Sequence, residues 1–125
     1  MSDKRTPRQR LGDFGERQAA LLLSGRGHQI IARGWRCPAG ELDLVTLDGD
    51  ELVFVEVRTR RGERLGTPEE SIDARKAARL LALGEHFIAA HPDYDGRIWR
   101  IDIVAIVLDA AGRIIRTTHH ENAVY

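Results

Sequence analysis

A single cysteine, Cys37, leaves this chain without the means for an intramolecular disulfide or a multi-cysteine zinc site. A lone thiol of this kind reads as buried or inert. Long apolar runs are missing too. The longest purely aliphatic stretch, Ile103 to Leu108, is far too short to cross a bilayer, so no membrane partner is expected. No apolar segment follows the charges of Met1 to Arg10. That start is therefore not read as a secretory signal; residues 1–10 read as a polar, mobile tail and the protein as cytoplasmic. A surplus of either charge is also absent. The formal net charge is zero, which removes the support that a strongly basic domain lends to nucleic-acid binding. Lysine is scarce, with two against 17 arginines. No Gly-rich phosphate loop, nucleophile elbow, internal repeat or dividing linker is present.

What is present suits one soluble α/β domain over residues 11–125: 42% hydrophobic and 30% charged residues in 125 positions, enough for one core and too few for two. Leu11, Phe14, Ala19, Leu22 and Leu23 recur at helical spacing and predict a helix from Arg8 to Ser24, stopped by Gly25. Strands follow at 28–33, ended by Gly34, and at 41–47. Asp48-Gly49-Asp50 supplies a turn into a third strand, 51–60. In that strand Val53, Val55 and Val57 share one face, and Leu52, Phe54, Glu56 and Arg58 the other. Thr67-Pro68-Glu69-Glu70 has the form of a capping box with proline at the first helical position, and predicts a helix running to about Ala90. Two more strands are expected, one at 98–108 and one near 114–118.

Two carboxylates stand out because each lies in a run apolar enough for a core strand: Asp43 in Gly40-Glu41-Leu42-Asp43-Leu44, and Glu56 in Val53-Phe54-Val55-Glu56-Val57. A hairpin closed at Gly49-Asp50 sets Leu47 opposite Leu52 and therefore Asp43 opposite Glu56. Directly opposed side chains have Cβ atoms about 4.5–5.5 Å apart, where two like charges call for a cation or a proton. Mg²⁺ is commonly held by one or two carboxylates with waters and phosphate oxygens completing the shell. Arg58, two residues beyond Glu56 on the same face, would stand beside such an ion, an arrangement suited to a phosphodiester. The structural alternative is a salt bridge among Asp43, Glu56 and Arg58 with no metal. Arg60, Arg61 and Arg64 crowd the end of the same strand, and Arg75, Lys76 and Arg79 follow on the next helix; a merely solvated positive face is the competing reading. Lys76 is four residues from both Ile72 and Leu80, in line with the core-facing positions, where it meets an acid or snorkels to water.

These segments carry a resemblance. Gly15-Glu16 with Ala19-Ala20, then Gly40 to Leu44, Leu52 to Arg58, and Ser71-Ile72-Asp73-Ala74-Arg75-Lys76 resemble, in that order, the YraN family of small bacterial proteins. That family is placed in the restriction-endonuclease-like superfamily and is similar to archaeal Holliday-junction resolvases. The likeness spans the chain from Gly12 to Glu121-Asn122-Ala123. It implies an αβββαβ core, a central mixed sheet flanked by helices, and a split nuclease site. On this chain Glu16 is the helix acid, Asp43 and Glu56 the ligands for Mg²⁺ or Mn²⁺, and Arg58 stands where a lysine belongs. Lys76 matches a basic position on the following helix. The implied activity is metal-dependent cleavage of DNA, including branched DNA. Lys76 with Arg60, Arg61 and Arg64 would hold the backbone, and a homodimer is in keeping with junction-cutting relatives. Arginine stays protonated and is no general base, so a binding adaptor that keeps the fold without the chemistry is the alternative function.

The remaining candidates are weaker. His119-His120-Glu121 reads as a polar tail rather than a metal cluster, since adjacent residues of a strand point apart. Asp102 between Ile101 and Ile103 is read as structural, paired with Arg100. Trp35 and Trp99 are read as core residues.

Overall fold

The computed structural model of the protein describes residues 3–62 and 72–124. Thr6 opens helix α1, Pro7–Gly25, with a reciprocal cap: the Gln9 N–H donates to Thr6 Oγ1 at 3.1 Å, and the Thr6 N–H to Gln9 Oε1 at 2.8 Å. The helix thus begins one residue before the expected Arg8, and Arg8 to Arg10, which the expected tail and the expected helix shared, are helical. Three strands follow, β1 (Gln29–Cys37), β2 (Gly40–Asp48) and β3 (Glu51–Arg61), then helix α2 (Ala74–Ala90), β4 (Trp99–Leu108) and β5 (Ile114–Val124). They form one sheet in the order β1-β2-β3-β4-β5; β3 and β4 are parallel and the other neighbours antiparallel. The single parallel pair follows from α2, which carries the chain back across the sheet. This is the expected α/β architecture with its αβββαβ core.

Three boundaries differ from the expectation. β1 does not end at Gly34. The residue takes φ +58°, open to glycine at little cost, and pairing with β2 continues to Cys37 opposite Gly40. α2 begins at Ala74, where Asp73 accepts the Lys76 N–H at 2.9 Å; Thr67, Pro68, Glu69 and Glu70 lie outside the described residues. β5 runs on through His119, His120 and Glu121, which are strand and not tail, because the buried Asp102 carboxylate accepts the Asn122 N–H at 2.9 Å and holds the segment to β4.

Both faces of the sheet are covered. Ala19, Ala20 and Leu23 of α1 pack on Leu44, Val53, Val55, Val104, Ile106 and Leu108. Leu80, Leu83 and Phe87 of α2 pack on Leu42, Val45, Leu52, Phe54, Ile101 and Ile103, with Trp35 and Trp99 against them. Burial of each large side chain contributes about 1.5–3 kcal/mol, so the two layers fix the position of both helices. Among the described residues no helix is long and apolar enough to cross a membrane.

Candidate functional site

The hairpin turns at Gly49, φ +61°, with Asp48 opposite Glu51, Leu47 opposite Leu52 and Leu44 opposite Val55. Pairing of β2 with β3 stops there. β2 goes on pairing with β1 as far as Gly40, and β3 with β4 as far as Arg61, so the two central strands part into a fork. Asp43 sits at its apex. Leu42 joins the core under α2 and Leu44 the core under α1, so strict alternation of faces is broken at Asp43. Its carboxylate does not leave the sheet unpaired: Oδ2 accepts the Val57 N–H at 2.8 Å.

Glu56, half-buried on β3, reaches the same point and hydrogen-bonds to Asp43. Burial first, then the charge of Asp43, push its carboxyl up to about 8, against the opposing pull of Arg58 and Arg79. From α1, Glu16 is pushed up to about 7 by burial, by Asp43 and more weakly by Glu41 and Asp13, with Arg33 opposing. The charge of Asp43 thus acts on two acids, Glu16 from α1 and Glu56 from β3, and the second of these is its hydrogen-bond partner.

Glu16 is presented by a close approach of α1 to β3. The residue before it is Gly15, where a Cβ would lie 1.9 Å from Thr59 Oγ1. Only glycine lets the helix settle there. The first half of α1, the β2 residues Glu41 and Asp43, and β3 from Val57 to Arg61 enclose a groove of about 1080 Å³ that opens over the fork. Arg58, Arg60 and Arg61 line it, and the buried Nε of Arg58 has no hydrogen-bond partner among the described residues. Arg64 lies outside the described residues. Lys76 is half-buried in the first turn of α2, beneath the opposite face of the sheet, and does not line this groove. The α2 side chain whose charge reaches Glu56 is Arg79, one turn further on. Arg5, Arg8 and Arg36 line the groove as well and went unassigned in the sequence, the first two because they fell in the presumed tail.

A second polar cluster lies at the other end of the sheet, near the closed end of the hairpin. Asp102 is fully buried and accepts from Arg100 Nε at 2.9 Å, from the Asn122 N–H, and from His119, whose Nε2 lies 2.8 Å from Oδ2. Arg26 donates to His119 Nδ1 at 2.8 Å, so the hydrogen of that imidazole is on Nε2. Arg100 also pairs with Asp48 at 2.9 Å and with Glu51, while buried His28 bonds Thr46 at 2.8 Å. Every group in this cluster that has been named here is matched by another. Its role is structural, as expected for Asp102 and Arg100 and contrary to the expectation of a loose tail at His119.

Comparison with known proteins gives a consistent result. Residues 15–106 match the profile of the family described as Uncharacterised protein family UPF0102. A UPF0102 protein of Roseiflexus castenholzii is 49% identical over 99% of this chain and 98% of its own length. One from Moorella thermoacetica is 45% identical over 86% and 88%, and one from Chloroflexus aurantiacus 46% over 91% and 92%.

Proposed function

This chain belongs to the UPF0102 family, also called the YraN family, and we propose that it is a divalent-metal-dependent nuclease that hydrolyses phosphodiester bonds in DNA, branched DNA included. The observation that carries this reading is the hydrogen-bonded pair Asp43–Glu56 at the fork, with Glu16 and Arg58 lining the same groove as Asp43.

The donor chemistry fits Mg²⁺ or Mn²⁺. Asp43 and Glu56 offer only oxygen, and the charge of Asp43 that raises the Glu56 carboxyl is a repulsion that a dication would relieve. Among the described residues no group of three or more His, Cys, Asp or Glu side chains is placed to hold a metal ion. The proposed site therefore rests on two carboxylates, with water and phosphate oxygens completing the shell as is usual for Mg²⁺. When bound, the ion supplies Lewis-acid neutralisation of charge on the phosphoryl oxygens.

The chain's own residues divide the remaining work. Asp43 is held rigidly by the Val57 N–H. Glu16, with its carboxyl near 7, can give or take a proton at the groove wall close to neutral pH. Arg58 cannot act as a base, but it lines the groove as a permanent cation that can meet a phosphoryl oxygen. Arg60, Arg61 and Arg64 are assigned to the backbone; Lys76, beneath the opposite face of the sheet, is not.

Labelled single-stranded, duplex, flap and four-way-junction DNA, incubated in Mn²⁺ and in Mg²⁺ beside Glu56→Ala purified identically, tests the proposal. Metal-dependent cutting that disappears in Glu56→Ala is the expected result. Equal cutting by both preparations, or none by either, overturns it. The second reading, a nucleic-acid-binding adaptor, is favoured by the arginine at position 58. Cleavage that appears only in Arg58→Lys, with salt-sensitive DNA binding by the natural protein, would select it.

A further inference from the structure

Among the described residues six arginines line the groove: Arg5, Arg8, Arg36, Arg58, Arg60 and Arg61. Two are matched by acids. Arg5 pairs with Asp3 at 2.9 Å and Asp13 at 2.6 Å, and Arg36 with Glu41 at 3.4 Å. Arg8, Arg58, Arg60 and Arg61 have no ion-pair partner among the described residues. They are also not scattered. Arg8 is on the first turn of α1 and forms one lip of the groove; Arg60 and Arg61 end β3 and form the other. In a chain with no net charge, four arginines without an ion-pair partner line the same groove as Glu16 and Asp43, a local excess of positive charge that an extended anion would match.

The aromatic residues add an independent constraint. Strands read through their bases are gripped by stacking on exposed rings. Here Phe14 packs beneath α1, and Trp35, Phe54, Phe87, Tyr94 and Trp99 belong to the core beneath α2. No residue lining the groove is aromatic. Tyr125 lies outside the described residues.

We propose that the first turn of α1 and the end of β3 form a two-lipped clamp for the sugar–phosphate backbone, in which Arg8 works opposite Arg60 and Arg61 and the bases are left unread. The clamp rests on the nuclease reading for the identity of its anion, and it adds a mode of recognition: affinity from charge, without regard to base. It also gives a purpose to the capped start of α1, since Thr6 and Gln9 fix the turn from which Arg8 projects.

The test is fluorescence anisotropy in EDTA, where no cleavage intervenes, with labelled oligo(dT), oligo(dC) and an abasic strand of equal length. Salt is varied from roughly 50 to 200 mM. The natural protein should bind all three within about threefold, with log K falling linearly in log salt. Arg8→Ala should weaken all three alike and flatten that slope by about 1, while Arg8→Lys keeps it. Arg8 is exposed, so circular dichroism of both variants should match the natural protein. An unchanged slope in Arg8→Ala, or a tenfold loss on the abasic strand, overturns the clamp and leaves the nuclease reading intact if metal-dependent cleavage persists. Failure of the natural protein to bind any strand overturns the clamp, and the nuclease reading then stands or falls separately on metal-dependent cleavage.

Discussion

The Val57 N–H donates to Asp43 Oδ2 at 2.8 Å, so a side chain of β2 satisfies a donor of β3 just past the last backbone pair of the hairpin. One carboxylate therefore does two things. It closes the fork mechanically and it presents an oxygen to the groove. A residue placed there for stability alone has no need of the two further acids on which its charge acts.

Asp43→Ala and Asp43→Asn should separate these roles. Alanine leaves the half-buried Val57 donor unmatched and is expected to lower stability by about 1–3 kcal/mol in urea unfolding. Asparagine keeps an acceptor and should lose less. Both should abolish Mn²⁺ binding in calorimetry. Asparagine binding Mn²⁺ as well as the natural protein does would remove Asp43 from the ligand set.

Glu56 makes stability depend on pH in a set direction. Its carboxyl is raised from an ordinary 4.5 to about 8, so the folded state holds the proton more tightly than the unfolded chain. The contribution is complete below pH 4.5 and is lost as pH rises towards 8. Glu56→Gln, which mimics the protonated form, should raise Tm at pH 8.5 relative to the natural protein and change it little at pH 5. Divalent metal should stabilise the natural protein at the higher pH and leave Glu56→Gln unmoved.

Gly15 tests whether the approach of α1 sets the site. A Cβ there, 1.9 Å from Thr59 Oγ1, forces the helix or the threonine aside, for which about 1–3 kcal/mol is expected. Glu16 moves with the helix, so Gly15→Ala should also depress cleavage more than its stability loss explains. Adding Thr59→Ala should recover part of both. Strict additivity of the two substitutions would show that the contact does not govern the site.

What could be read in advance was what is local. The Gly49 turn and two strands of matched length leave one register for the hairpin, and alternation then puts Val53, Val55 and Val57 on one face. The fork is not local. It depends on β2 staying with β1 while β3 follows β4, a strand delivered only after α2. Arg5 and Arg8 escaped notice because a polar tail and an exposed helical turn have the same composition. The distinguishing signal was present in Thr6-Pro7-Arg8-Gln9, a capping box with proline at its second position, the same signature that drew attention to Thr67. His119 escaped for another reason: its partner Asp102 is on a different strand, and only the anomaly of a charge between Ile101 and Ile103 pointed there.

The cluster around Asp102 should respond to acid and to mutation independently of the groove. Asp102→Ala removes the fully buried acceptor shared by Arg100, His119 and the Asn122 N–H, while Arg100 keeps Asp48 and Glu51; about 1–3 kcal/mol is expected. His28 titrates in the same region. Burial is the largest influence on its imidazole and lowers it from 6.5, outweighing the opposite pull of Asp48. A base lowered on folding contributes stability that is present above pH 6.5 and lost as pH falls through its folded value. This slope runs against that of Glu56. His28→Asn, which does not titrate, should remove a loss of stability on acidification below pH 6.5, while Glu56→Gln should remove a loss on alkalinisation between 4.5 and about 8. A change of slope of the same sign in both variants would refute this assignment.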